Sequence, residues 1–335
     1  MTPGVTVRDE YPELKEIALF AERFAHEIET FVPGTRSETD AAAPFVAGFT
    51  ESVVRCLDAA VPEEQIKRAL RPLRAALKVS PLVLRAQEQR RGYPGDFEII
   101  EQIVSGDTEA EPGTTGWFID SFLQASPITQ QHRNKIAHQG ELIRRTLARR
   151  PHGRHGRRIL LIACGGAADL RTVEPGLFGH EDIVVLNDID PDALAHAGTQ
   201  VAPGVDEHLF GVCGNVFTVL PELAAHGPYD AILAGGLFDY LPDRPARLLI
   251  TYAMTRLCAP GGVFYFSNIS TGNPFGHLMK YLADWPLIER GESDVHALVA
   301  AAAPNQTRRA VIRRDATEFT LLTELTRRQE PAPAG

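Results

Sequence analysis

Between residues 155 and 270 the chain returns five times to one pattern, a short apolar run that ends in Gly, Asn or Asp. The runs are RRILLIACGG, DIVVLNDID, EHLFGVCGN, YDAILAGGL and GGVFYFSN, and helical patterns separate most of them. Continuous apolar strands that alternate with helices have no solvent face, so they belong in a parallel sheet covered on both sides. This predicts a doubly wound α/β core. Such sheets gather their ligands at the carboxyl ends of the strands.

The first half of the chain has a different texture. Residues 9–31 place Leu14, Ile17, Phe20, Ala21, Phe24 and Ile28 at near-helical spacing. Further helical patterns follow at 39–60 and 62–79. Arg91-Gly92-Tyr93-Pro94-Gly95-Asp96 breaks the pattern as a shaped turn, and Asp96 can cap the helix that FEIIEQIV begins. A polar loop, SGDTEAEPGTT, a helix near 117–123 and a long helix near 127–149 complete this half. The segment PHGRHGRR at 151–158 carries no apolar residue and marks the boundary. The expected domains are a helical lid over 1–150, a nucleotide-binding domain over 151–325 and a disordered tail over 326–335. A length of 335 residues fits two domains. RRAVIRRDATEFTLLTEL supplies two strand-like runs, an antiparallel edge near residues 310–322.

Three strand ends carry the chemistry. Ile159–Ala163 runs into Cys164-Gly165-Gly166-Ala167-Ala168-Asp169, where small residues let a turn approach a ligand closely. The second strand ends in Asp188-Ile189-Asp190. An acidic residue there can accept both ribose hydroxyls of a nucleoside, so Asp188 is the ribose candidate, while Asp190 caps the helix at Pro191. The third ends in Cys213-Gly214-Asn215-Val216, where an amide can meet an adenine amino group. After the fourth strand, Gly235-Gly236-Leu237-Phe238-Asp239-Tyr240 offers a turn, two aromatic rings and a carboxylate, and Ser267 and Asn268 close the fifth.

ILLIACGGAADL, VVLNDIDPDAL, CGN and LCAPGGVFYFSN resemble, in order, the nucleotide-binding motifs of class I S-adenosylmethionine-dependent methyltransferases, although Ala168 stands where that family often has a third glycine. A narrower resemblance covers about residues 85–295. RGYPGDFEIIEQI, SPITQQHRNKIAH, AGGLFDYLPD and NPFGHLMKYLADWPLIERGESD are similar to the bacterial family that methylates 3-hydroxypalmitate to a methyl-ester autoinducer, and azetidine-2-carboxylate synthases look related. The resemblance implies a Rossmann-like seven-stranded core, S-adenosylmethionine as cofactor and a helical lid.

On that basis Ala163, Gly165, Gly166, Asp188, Ile189, Asn215, Val216, Gly235, Phe238 and Arg133 are expected at the cofactor. Asp239, Tyr240, Tyr93 and Asn134 are expected at the reacting centre, and Ser267, Asn268 and Asp96 at the substrate. Methyl transfer to a small-molecule carboxylate, oxygen or nitrogen nucleophile in specialised metabolism is the leading expectation. The alternative is attack at the γ-carbon, releasing methylthioadenosine, with a polar pocket of Asn134, Tyr240 and Ser267 holding an amine. A third reading is a cofactor-binding partner subunit without activity.

The scattered Cys56, Cys164, Cys213 and Cys258 lack C-x-x-C spacing, so no structural zinc site or disulfide framework is expected. A net charge of −9 argues against nucleic acid or an anionic membrane surface as partner. No apolar run reaches the roughly 18 residues of a spanning helix. The first residues, MTPGVTVRDEYPELKE, show neither a basic stretch nor an apolar run of the secretory kind, which predicts a cytoplasmic chain. A homodimer is compatible with these features.

Overall fold

The computed structural model describes residues 11–31, 38–149 and 156–329, residues 38–43 by backbone alone. Seven helices come first: α1 (Pro12–Glu29), α2 (Glu38–Asp58), α3 (Glu63–Ala69), α4 (Arg71–Ala76), α5 (Pro81–Glu88), α6 (Phe97–Ser105) and α7 (Thr115–Ala125). The long α8 (Pro127–Ala148) precedes β1 (Arg158–Ile162), β2 (Ile183–Asp188), α9 (Pro191–Gln200), β3 (Leu209–Cys213), α10 (Val216–Ala225) and β4 (Tyr229–Ala234). Then come α11 (Asp243–Tyr252), β5 (Cys258–Ile269), α12 (Gly276–Leu282), α13 (Glu292–Ala302), β6 (Thr307–Arg314) and β7 (Thr320–Arg327). No described helix is long and apolar enough to cross a membrane.

Two compact units share these elements. One comprises the described residues of Met1–Gln102, Gly106–Ser126 and Asn273–Pro286; the other, those of Ile103–Ser105, Pro127–Gly272 and Leu287–Gly335. Contacts thus divide at 126/127, whereas the composition changes at 151–158, most of which lies outside the described residues. The helix expected over 62–79 is two helices, because Pro72 opens α4 and cannot donate the bond that would continue α3. The expected tail begins later than residue 326, since β7 runs to Arg327; residues beyond 329 lie outside the described ones.

In the helical unit, Ile17, Ala21, Phe49, Val53, Ile66, Leu70 and Leu73 pack with Tyr281 and Leu282 of α12. Arg74 fastens that helix by donating to the Tyr281 carbonyl and pairing with Asp284. The 273–286 segment therefore belongs to this core although it follows β5 in the chain.

The second unit is a seven-stranded sheet of order β3-β2-β1-β4-β5-β7-β6. The first five strands are parallel and β7 is antiparallel to both β5 and β6, so the edge expected near 310–322 is present. This is the Rossmann-like arrangement that the motifs implied. Side-chain alternation distributes the strands between two cores. Leu160, Ile162, Val185, Ile232, Phe264 and Phe266 face α10, α11 and α13. Ile159, Leu161, Val184, Leu186, Ala231 and Leu233 face α8 and α9. Each fully buried aliphatic side chain contributes about 1.5–3 kcal/mol, which explains why the strands read as continuous apolar runs. The order reverses between β1 and β4, and the crevice at such a switch point is where α/β sheets bind ligands.

Candidate functional site

The carboxyl edge of β1 and β2 is built around strain. Ala163, Gly165 and Ala167 adopt φ values of +49°, +52° and +49°. The left-handed region costs a non-glycine residue about 1–2 kcal/mol, so Ala163 and Ala167 hold this shape only because their surroundings enforce it. The enforcing bonds are visible. Cys164 N donates to the Asn187 carbonyl at 3.0 Å, and Gly165 N donates to Asp188 Oδ2 at 2.8 Å. Asp190 N donates to Asp188 Oδ1 at 3.0 Å.

Asp188 is thus held by an amide on each carboxylate oxygen, Gly165 N on Oδ2 and Asp190 N on Oδ1, with the Ile189 amide also pulling on the carboxylate. Burial pushes its pKa up, against the pull of the Asp190 and Gly165 amides. Two further donors would stabilise this buried charge, and vicinal ribose hydroxyls are such donors. Ile189, beside it, exposes 57% of its surface, an apolar face of the kind an aromatic base covers. Asp190 caps α9 by accepting from Asp192 N, as expected.

At the end of β3 the structure modifies one expectation. Asn215 caps α10, its Oδ1 accepting from Phe217 N at 3.0 Å, so the oxygen assigned to an adenine amino group already serves the helix. Val216 N opens the first turn of α10, where backbone donors lack intrahelical partners. Asn187, which the sequence did not single out, is the hidden organiser. Its buried Nδ2 donates to the carbonyls of Val212 and Gly214, 3.0 Å each, and joins the β2 and β3 ends.

The loop after β4 buries two consecutive side chains and exposes the next. Phe238 and Asp239 point inward and Tyr240 outward. Phe238 is fully buried and stacks on Phe266 at 4.2 Å, which corrects its assignment to the cofactor, because its ring serves the core. Asp239 is likewise enclosed. Its Oδ1 accepts from Ile269 N at 2.6 Å and Asn268 Nδ2 at 3.2 Å, and its Oδ2 lies 3.5 Å from Lys135 Nζ. Burial raises its pKa against the pull of Lys135. Asn268 extends the network, its Oδ1 accepting from Arg290 Nη1, while Arg290 also donates to the carbonyls of Phe238 and Leu241 and pairs with Asp243. Asp239 and Asn268, expected to meet reactant and substrate, instead hold the loop's shape. Tyr240 keeps 37% of its surface exposed.

Gly235 meets α8 directly. A Cβ there would stand 2.2 Å from Gln139 Oε1, and its carbonyl accepts from Ser267 Oγ at 2.6 Å. Two α8 candidates are otherwise engaged. Asn134 Oδ1 accepts from Gln130, and its Nδ2 donates to Asp315 Oδ2 at 2.7 Å. Arg133 donates through Nε to the Ile103 carbonyl and through Nη1 to Gln130. Asn134 and Ser267, expected beside Tyr240 in an amine-holding pocket, are each hydrogen-bonded within the protein. In the helical unit, Asp96 caps α6 by accepting from Ile99 N at 3.0 Å, and Tyr93 is half-buried in the preceding turn. Among the described residues no cluster of three or more His, Cys, Asp or Glu could hold a metal ion.

No family model and no curated protein matches the chain. Solved structures do. A possible exported protein from Bordetella parapertussis covers 97% of this chain and all of its own, at 15% identity and a TM-score of 0.56, which establishes a shared fold. Magnesium protoporphyrin IX methyltransferase from Synechocystis, with bound S-adenosylhomocysteine, covers 74% of this chain and 98% of its own at 14% identity and a TM-score of 0.46. The O-methyltransferase TomG from Streptomyces achromogenes, in complex with S-adenosylmethionine, covers 58% of this chain and 79% of its own at 15% identity and a TM-score of 0.39.

Proposed function

We propose that this chain is an S-adenosylmethionine-dependent methyltransferase acting on a small molecule. The observation that carries this reading is Asp188, a buried carboxylate at the end of β2 oriented by Gly165 N and Asp190 N beside the strained turn after β1. The residue set fits adenosine: Asp188 accepts from the ribose, Ile189 offers an apolar face to the base, and Val216 N donates at the base edge. When bound, the cofactor supplies an electrophilic methyl group on a sulfonium.

The chain's own residues hold that ligand and shape its surroundings. The strained 163–167 turn brings backbone close to the ligand without side chains in the way. Gly235, wedged between Gln139 and Ser267, sets the floor after β4. Lys135, Asn268 and Arg290 fix the loop from which Tyr240 projects, and an aromatic face beside a sulfonium gains cation–π stabilisation. Methyl transfer needs a near-attack separation of roughly 3–3.5 Å, and a rigid loop maintains such a geometry. The test is to incubate the purified protein with S-adenosylmethionine and candidate small molecules and to identify the nucleoside formed. S-adenosylhomocysteine supports the reading. Methylthioadenosine would replace it with γ-carbon chemistry, and an unconsumed, bound cofactor with a non-catalytic role.

A further inference from the structure

The segment that leads back from α12 to α13 is sewn to the same edge. Ile288 N donates to the Asp239 carbonyl at 2.7 Å, Asn268 Nδ2 donates to the Ile288 carbonyl at 2.8 Å, and Arg290 N donates to the Ile269 carbonyl at 3.0 Å. Arg290 also bridges Ser270 in parallel, so the segment extends the carboxyl end of β5. Arg290 turns into the buried 238–243 loop, and Glu289 precedes it on the stretch stitched to the ends of β4 and β5.

Glu289 is half-buried and has no hydrogen bond or ion pair among the described residues. This sets it apart from Asp188 and Asp239, whose carboxylates are both occupied. A partly desolvated carboxyl group without a partner is costly, because burial removes water and nothing replaces it. Burial alone, with no charged neighbour contributing, pushes its pKa up to about 7. Groups poised near neutrality are effective proton acceptors.

We infer that Glu289 contacts the acceptor molecule and accepts a hydrogen bond from its N–H or O–H, so that the substrate is a proton-bearing amine or hydroxyl compound rather than a carboxylate. The inference rests on the reading of this edge as a methyltransferase site. The proton released by the nucleophile passes to the Glu289 carboxylate and from there to water, leaving Glu289 unchanged after each turnover. A preformed carboxylate substrate would have no proton to give and would meet a like charge.

Calorimetry on the full chain decides the matter, with octylamine, octanol and octanoate as probes in the presence of saturating S-adenosylhomocysteine. Octylamine or octanol should bind the wild-type protein more tightly than octanoate, and Glu289→Gln should weaken the favoured probe roughly tenfold or more, with Glu289→Asp retaining part of the affinity. Melting temperatures of both variants establish that they are folded. Tighter binding of octanoate, binding of none of the three, or an unchanged order in folded Glu289→Gln overturns the inference. Failure of S-adenosylhomocysteine itself to bind points instead to the underlying functional reading, since Glu289 makes no contact with the Asp188 edge.

Discussion

Lys135 Nζ lies 3.5 Å from Asp239 Oδ2, and both side chains are withdrawn from water, 5% and 4% exposed. The pair joins α8 to the loop after β4, so the helix that covers one face of the sheet also fixes the loop that carries Tyr240. Asp239 spends its other oxygen on Ile269 N and Asn268. Removing one partner of such a pair leaves a buried charge uncompensated, at a cost of about 3–5 kcal/mol. Lys135→Met and Asp239→Asn should each lower the melting temperature by several degrees, whereas the two combined should recover much of the loss, because no buried charge is left unpaired and the Asp239→Asn side chain keeps an oxygen for Ile269 N. Thermal denaturation of the three variants reads this, and single variants as stable as wild type would show that the pair does not hold the loop.

Asp188→Ala should remove two acceptor oxygens and relax the Gly165 turn that they hold. Charge-assisted hydrogen bonds contribute roughly 1.5–3 kcal/mol each, so affinity for S-adenosylhomocysteine should fall by about tenfold or more. Calorimetry measures it directly. An unchanged dissociation constant in a folded variant would remove Asp188 from the site.

Gly235→Ala places a methyl group 2.2 Å from Gln139 Oε1, 2.4 Å from its Nε2 and 2.5 Å from its Cδ. Overpacking of this kind costs about 1–3 kcal/mol. Gln139→Ala in the same background should relieve the clash, so the double variant should be more stable than Gly235→Ala alone. A double-mutant cycle by urea denaturation tests the coupling. Additive effects would mean that the two residues do not constrain each other.

β1, β2, β4 and β5 were legible because they are largely buried on both faces and therefore almost continuously apolar, and Asp188 was legible because an acid ending such a run has little structural reason to be there. Asn187, one residue earlier, was not, because its role depends on carbonyls at 212 and 214 that come near only when β3 pairs with β2. Lys135 and Gln139 look like ordinary polar positions of an amphipathic helix until α8 is laid against β4. Phe238 and Tyr240 could not be told apart by proximity to the strand end; the tight turn at Leu237–Asp239 sends one ring into the core and the other to the surface. Arg290 lies far along the chain in a segment with no periodic signal, so its clamp on the 238–243 loop is a tertiary fact.

Glu324 on β7 is 3.1 Å from His138 Nε2 and 2.8 Å from Arg145 Nη2, both on α8, with Arg313 at 3.4 Å. The hydrogen bond from His138, aided by the charge of Arg145 and opposed by burial, holds its pKa down to about 2, from 4.5. A carboxyl whose folded pKa is depressed stabilises the fold above its unfolded pKa and loses that contribution as pH falls through the folded value. The difference corresponds to about 3 kcal/mol, fully present above roughly pH 5 and progressively lost between pH 4.5 and 2. Glu324→Gln should therefore be less stable than wild type at pH 7, and the gap should shrink steadily when both proteins are compared at pH 5, 4 and 3. Urea midpoints across that series measure it. A gap that stays constant down to pH 3, or that widens on acidification, would mean that ionised Glu324 does not fasten α8 to β7.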